Sequence, residues 1–187
     1  MIKPALQFIA AELTEYLIRH MPGSDVRPVV VNSIPDQLKK NQDPDPAVQK
    51  ASAVLCILNV EEDNLSRSGA IGLSQANRQH SASSFHSYVY CLVAITEENY
   101  CLALDYLSTV LAFFRQHAVF DLNSSTVYNS GLKKIVSDTV SQTTEQISQV
   151  WQALGVSYMP SAVYRFRLTG EITTPEETTD IRRAIGN

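Results

Sequence analysis

The chain has 187 residues, 44% of them apolar and three of them cysteine, with a formal net charge of −4. That length suggests one domain, whose folding buries roughly 70% of the unfolded chain's surface and so needs no disulfide or metal staple. The charge and the lack of a long basic run argue against nucleic acid as a partner, and no run reaches the ~18 apolar residues of a membrane-spanning helix.

Lys3 to His20 reads as an amphipathic helix with Leu6, Ile9, Leu13 and Leu17 on one stripe, stopped by Met21-Pro22-Gly23. Its spaced apolar residues, with Glu12 and Glu15 between them, do not read as a signal peptide. Pro28 to Ser33 reads as a short strand, with proline at the start where a lost N–H is tolerated. Ile34 to Lys50 carries Pro35, Pro44 and Pro46 and is expected to be a loop. Ala51 to Glu62 reads as a central strand covered on both faces. Residues 66–84 are rich in Ser, Gly, Ala and Asn and are expected to form a long loop between antiparallel strands.

The stretch from Phe85 to Phe120 organises the rest. Its first part is a strand with Val89, Cys91, Val93 and Ile95 on one face and Tyr88, Tyr90, Leu92 and Ala94 on the other, which implies cover on both sides. Its second part reads as a helix capped by Thr96, with Glu97 and Glu98 in the first turn. Two apolar stripes run along that helix, Leu102, Tyr106, Val110, Phe113 and Leu104, Leu107, Leu111, Phe114. A surface helix needs one, so a neighbour is expected on the second.

Asp121 to Gly131 is turn chemistry, and Leu132 to Ser141 reads as a strand wet on one face. Thr143 and Gln146 form a capping box for a helix bearing Ile147, Val150, Trp151 and Leu154, with Gly155 as a left-handed stop. Pro160 opens the last strand, with Tyr164, Phe166 and Leu168 on one face and Val163, Arg165, Arg167 and Thr169 on the other. The class is α+β: a mixed, mostly antiparallel sheet of about five strands packed with three helices, occupying residues 1–174 as one domain, with a polar tail at 175–187. The edge strands are expected at 28–33 and 132–141.

Catalytic spacing is lacking. His20, His80, His86 and His117 lie far apart, and Gly69-Ala70-Ile71-Gly72 lacks the Lys-Ser/Thr pair of a phosphate loop. Glu61-Glu62-Asp63, at a strand end, reads as a solvated end or an interface patch. Arg165 and Arg167, on one strand face, read either as a wet face or as partners for carboxylates. Cys56, Cys91 and Cys101 are odd in number, without CxxC spacing, and read as reduced core thiols. No cofactor, metal or catalytic residue is expected, and an enzyme acting through Glu61 or Glu62 is the least favoured reading.

Four segments together resemble a known family: the N-terminal helix, Leu58 to Arg67 (LNVEEDNLSR), Tyr88 to Phe120, and Thr143 to Leu168 (TTEQISQVWQALGVSYMPSAVYRFRL). The pattern is similar to the N-terminal-domain family of the contractile injection system cap, or tail-terminator, protein. Its most specific pieces are Glu61-Glu62 after an apolar strand, Phe113-Phe114 near the helix end, and the string from Trp151 to Arg165. The resemblance implies a structural cap that forms a ring, a homohexamer, which ends inner-tube and sheath growth and anchors the last sheath ring. It implies partners in self, sheath and inner tube, without membrane insertion, in a phage-tail-like particle of the bacterial cytoplasm. Glu61, Glu62, Arg67, Arg165 and Arg167 are the candidate interface residues. The alternative is a non-enzymatic protein-binding module using the loop at 66–84.

Overall fold

A computed structural model describes residues 1–62, 83–122 and 131–172. The expectations for residues 66–82, 123–130 and 175–187, including the loop and the tail, lie outside the described residues.

The first helix, α1 (Ile2–His20), buries Leu6, Ile9, Leu13 and Leu17 completely, as its stripe requires. Gly23, at φ 90°, lies in the turn that follows. β1 (Val29–Val31) is then followed by α2 (Ile34–Gln42), which corrects the loop expected there. Pro35 lies in the first turn, where the missing N–H costs nothing, and Ser33 caps by accepting from Asp36 N. Gln37 is buried and pins the segment: its amide donates to Asn41 Oδ1 at 3.0 Å and to Gln49 O at 2.9 Å.

β2 (Ala53–Glu62) pairs with β1 in parallel, which a crossover through α2 makes possible. It pairs with β3 (Ser83–Ile95) antiparallel, as expected, with a register shift at Leu58. α3 (Tyr100–Gln116) begins later than expected. Its cap is Asn99, whose Oδ1 accepts from Leu102 N, and Glu97 and Glu98 precede the helix. Thr96 is instead buried and ties the end of β3 to the chain before β2, its N donating to Ser52 O and its Oγ1 to Ala51 O.

α3 stops at the cap residue His117, and Val119–Asp121 form a short strand, β4, where a continued helix was expected. β5 (Leu132–Val140), α4 (Thr144–Leu154) and β6 (Ser161–Ile172) complete the described chain. The capping box at Thr143 and Gln146 and the left-handed Gly155 (φ 68°) are as the sequence specifies.

The sheet order is β1-β2-β3-β6-β5-β4, six strands with one parallel pair, against about five expected. Four helices are described, against three expected. β1 is an edge, as expected. β5 is not, because β4 pairs along part of its outer side.

Two cores lie on the two faces of this sheet. On the first, α1 and α3 pack against Leu55, Val89, Cys91, Val93, Ile95, Ile135, Tyr164, Phe166 and Leu168. On the second, α2 and α4 bring Ile34 and Trp151 onto Val54, Cys56, Leu92, Ala94 and Val163. This arrangement explains why β3 is apolar on both sides. β2 has that double cover only as far as Cys56; Ile57 and Val60 are exposed. Cys56 and Cys91 are buried free thiols, while Cys101 is exposed, because it lies in the first turn of α3 away from the sheet.

Candidate interaction surface

Past Cys56, Leu92 and Val163 the second face of the sheet changes character. The side chains that follow by strict alternation are Tyr90, Tyr88 and His86 on β3, and Arg165, Arg167 and Thr169 on β6. They are half-buried or exposed. Tyr88 and Tyr90 were read from sequence as part of a covered face. In the structure the helices cover only the other half of that face, so the tyrosines line an open one.

Register sets these residues in two rows. Asn59, Tyr90, Arg165 and Asp138 form one; Glu61, Tyr88, Arg167 and Val136 form the next. Polar contacts run within the first row and across to the second. Arg165 Nη2 donates to Asp138 Oδ2 at 3.0 Å, and its guanidinium carbon stands 5.3 Å from the centre of the Tyr88 ring. Tyr90 OH donates to Glu61 Oε2 at 3.2 Å, and Asn59 Nδ2 donates to Glu61 Oε1 at 3.2 Å. Asp138, and after it Tyr90, push the Arg165 pKa up, so it stays a cation under all ordinary conditions. Each contact is exposed and individually weak, about 0.2–1 kcal/mol for the ion pair. Their combined effect is to hold the Arg165 guanidinium over the Tyr88 ring, a preorganised surface of the kind that interfaces favour.

Of the candidate interface residues, the structure brings Glu61, Arg165 and Arg167 to this one face. Glu62 alternates to the opposite face, level with Ser87. Arg67 lies outside the described residues. Sequence reasoning missed Tyr88, Tyr90 and Asp138. Asp138 was within reach, since a charge in a strand that pairs with the Arg165 strand is the natural counter-ion.

Glu61 and Glu62 are exposed rather than enclosed in a pocket. The described surface has shallow grooves instead. One, about 570 Å³, runs beside α4 between Ile147, Trp151, Val156 and Tyr158; another, about 550 Å³, lies between α1 and edge strand β1. Among the described residues no group of three or more His, Cys, Asp or Glu could hold a metal ion, and no helix is long and apolar enough to cross a membrane.

A family model described as the Pvc16 N-terminal domain matches residues 7–181. Among solved structures, the chain is similar to the sheath/tube terminator of an extracellular contractile injection system (PVC) in its extended state. The TM-score is 0.51 at 12% identity, over 95% of this chain and 60% of that one. It is similar in the same degree to the tube-terminating cap of the anti-feeding prophage, with TM-score 0.51, 11% identity, and 95% and 58% covered. The chain therefore spans about three-fifths of the length of these proteins, and at such identities the likeness is one of fold. A comparison with curated proteins finds no match.

Proposed function

The chain belongs to the Pvc16 N-terminal domain family, and from that premise we propose that it is a structural cap of a contractile injection system. In this reading residues 1–174 are the cap domain and 175–187 a polar tail. Identical copies form a ring, a homohexamer, that ends growth of the inner tube and sheath and anchors the last sheath ring. The particle is phage-tail-like and is assembled in the bacterial cytoplasm.

The observation that carries this reading is the family match along residues 7–181, joined to a fold shared over 95% of the chain with two terminators. The surface is in keeping with it. Exposed apolar side chains at Ile57 and Val60, and the open face of Tyr88, Tyr90, Arg165 and Arg167, are unused by the chain's own core. Such surface suits assembly, and a ring needs a head-to-tail contact between two different patches. Glu61, Glu62, Arg67, Arg165 and Arg167 are the residues we assign to contacts between copies or with sheath and tube. Catalysis has no part in this reading.

Two measurements test it. Mass photometry and negative-stain microscopy of the purified chain should show closed rings, and removal of the chain from producing cells should yield tubes of uncontrolled length. Particles of unchanged length, with a chain that never assembles at high concentration, would overturn it.

A further inference from the structure

α3 keeps an apolar flank after the core is built. Tyr100 and Leu104 are 61% and 41% exposed, and Leu107 and Leu111 beside them pack against the first core with one side and stay half-exposed on the other. At 3.6 residues per turn these four fall within an arc of about 60°. That arc faces away from α1, which meets the other side of the helix, where Tyr16 OH donates to Gln116 Oε1 at 3.1 Å. Their spacing is four, three, four, which is the a/d seam of a two-stranded coiled coil over about two heptads. The ends of the seam differ in charge. Glu97 and Glu98 stand just before the helix, and Arg115 lies in its last turn.

We propose that this flank is an antiparallel contact with α3 of a second copy of the chain. Antiparallel seams set each a position opposite a d position. Tyr100 of one copy then meets Leu111 of the other, and Leu104 meets Leu107. The same pairing brings Arg115, in the last turn of each copy's α3, to the end of the seam where the other copy's chain enters its α3 through Glu97 and Glu98. The two-fold axis repeats that charge contact at both ends. A parallel pairing would set the acidic ends together and align the helix dipoles, so the charges choose the antiparallel form. The patch is small, four apolar side chains per copy, which places the pair among weak interfaces. A two-fold contact cannot close a ring, so this surface is separate from the ring contacts of the cap reading and does not depend on them.

The register has a direct test. Cys101 and Ser108 both lie on the exposed side of the seam, and the pairing sets Cys101 of one copy beside Ser108 of the other. Cys101 and its own counterpart would be about 13 Å apart along the axis. A bis-maleimide spanning roughly 8–10 Å should therefore give the Ser108→Cys variant as a covalent dimer linked 101–108, and should leave the unaltered chain uncross-linked. Leu104→Glu added to it should abolish the cross-link. Sedimentation should show Arg115→Glu weakening the pair about tenfold or more, and the further exchange of Glu97→Arg and Glu98→Arg restoring it. Circular dichroism checks that each variant is folded. No cross-link, a ladder of higher species, or failure of the charge exchange to restore pairing would overturn the proposal. Rings without the 101–108 cross-link would overturn this contact and leave the cap reading standing; the cross-linked pair without rings would do the reverse.

Discussion

Gly131 sits at φ +69° just before β5, and its carbonyl accepts from Glu171 N at 2.8 Å. A Cβ there would meet the Glu171 carbonyl oxygen, and one on Gly170 would meet the Gly131 carbonyl oxygen and the Phe85 ring. Neither backbone oxygen can move without breaking the pairing of β5 with β6. Gly170→Ala should therefore cost about 2–3 kcal/mol in urea denaturation, well beyond an exposed strand substitution. Burial acts on chemistry as well as on shape. It pushes the Cys91 thiol from 9.0 to about 12 and the Tyr164 phenol from 10.0 to about 12. Both groups hold their protons longer folded than unfolded, so the folded chain binds more protons above pH 9 and its stability falls as pH rises. The contribution is complete below pH 9 and lost by about pH 12, and melting temperatures measured across that range should fall accordingly. Thr96 shows the limit of reading residues locally. As a residue type it is a good cap, but two backbone bonds near Ala51 and Ser52 claim it, and Asn99 caps instead.

At the scale of elements, legibility followed how far each signal depends on neighbours in sequence. The capping box and glycine stop of α4 are local chemistry and were fully readable. Thr143→Ala should cost about 1 kcal/mol and fray the start of that helix, which denaturation with far-ultraviolet dichroism would register. α2 was hidden because its prolines read as breakers, although Pro35 falls in the first turn and Pro44 after the last. Missing α2 concealed the parallel pairing of β1 with β2, since a parallel pair needs a crossover. β4 is three residues long and exists only because β5 pairs with it, so nothing in Val119–Asp121 alone marks a strand. The position of β5 inside the sheet was lost with it. The candidate surface was legible in Arg165 and Arg167, which strand alternation places on one face, whereas Glu61 reaches that face only through the register shift at Leu58. Its tyrosines were not, because sequence cannot say how far along a strand the covering helices reach.

At the scale of the whole molecule, two of the described helices pack on each face of one sheet, and neither layer covers the end of β2 beyond Cys56, although the first core reaches along β3 as far as Val89. A chain selected only to fold would place polar side chains on that projecting arm. Here Ile57 and Val60 are each 42% exposed, on the face opposite Tyr88 and Arg167. Burial of such residues in an assembly is worth about 25 cal/mol per Å² of apolar surface covered, whereas their exposed state adds little to the fold. The pair Ile57→Asp and Val60→Asp should then leave the monomer's unfolding free energy within about 1 kcal/mol of the unaltered chain. The same pair should abolish rings in mass photometry if the arm seats a neighbouring copy. A variant that loses fold and assembly together would show instead that the arm is held by the chain's own core. One that keeps both would move the ring contact to the Arg165 and Arg167 face, where Arg167→Glu is the next substitution to make.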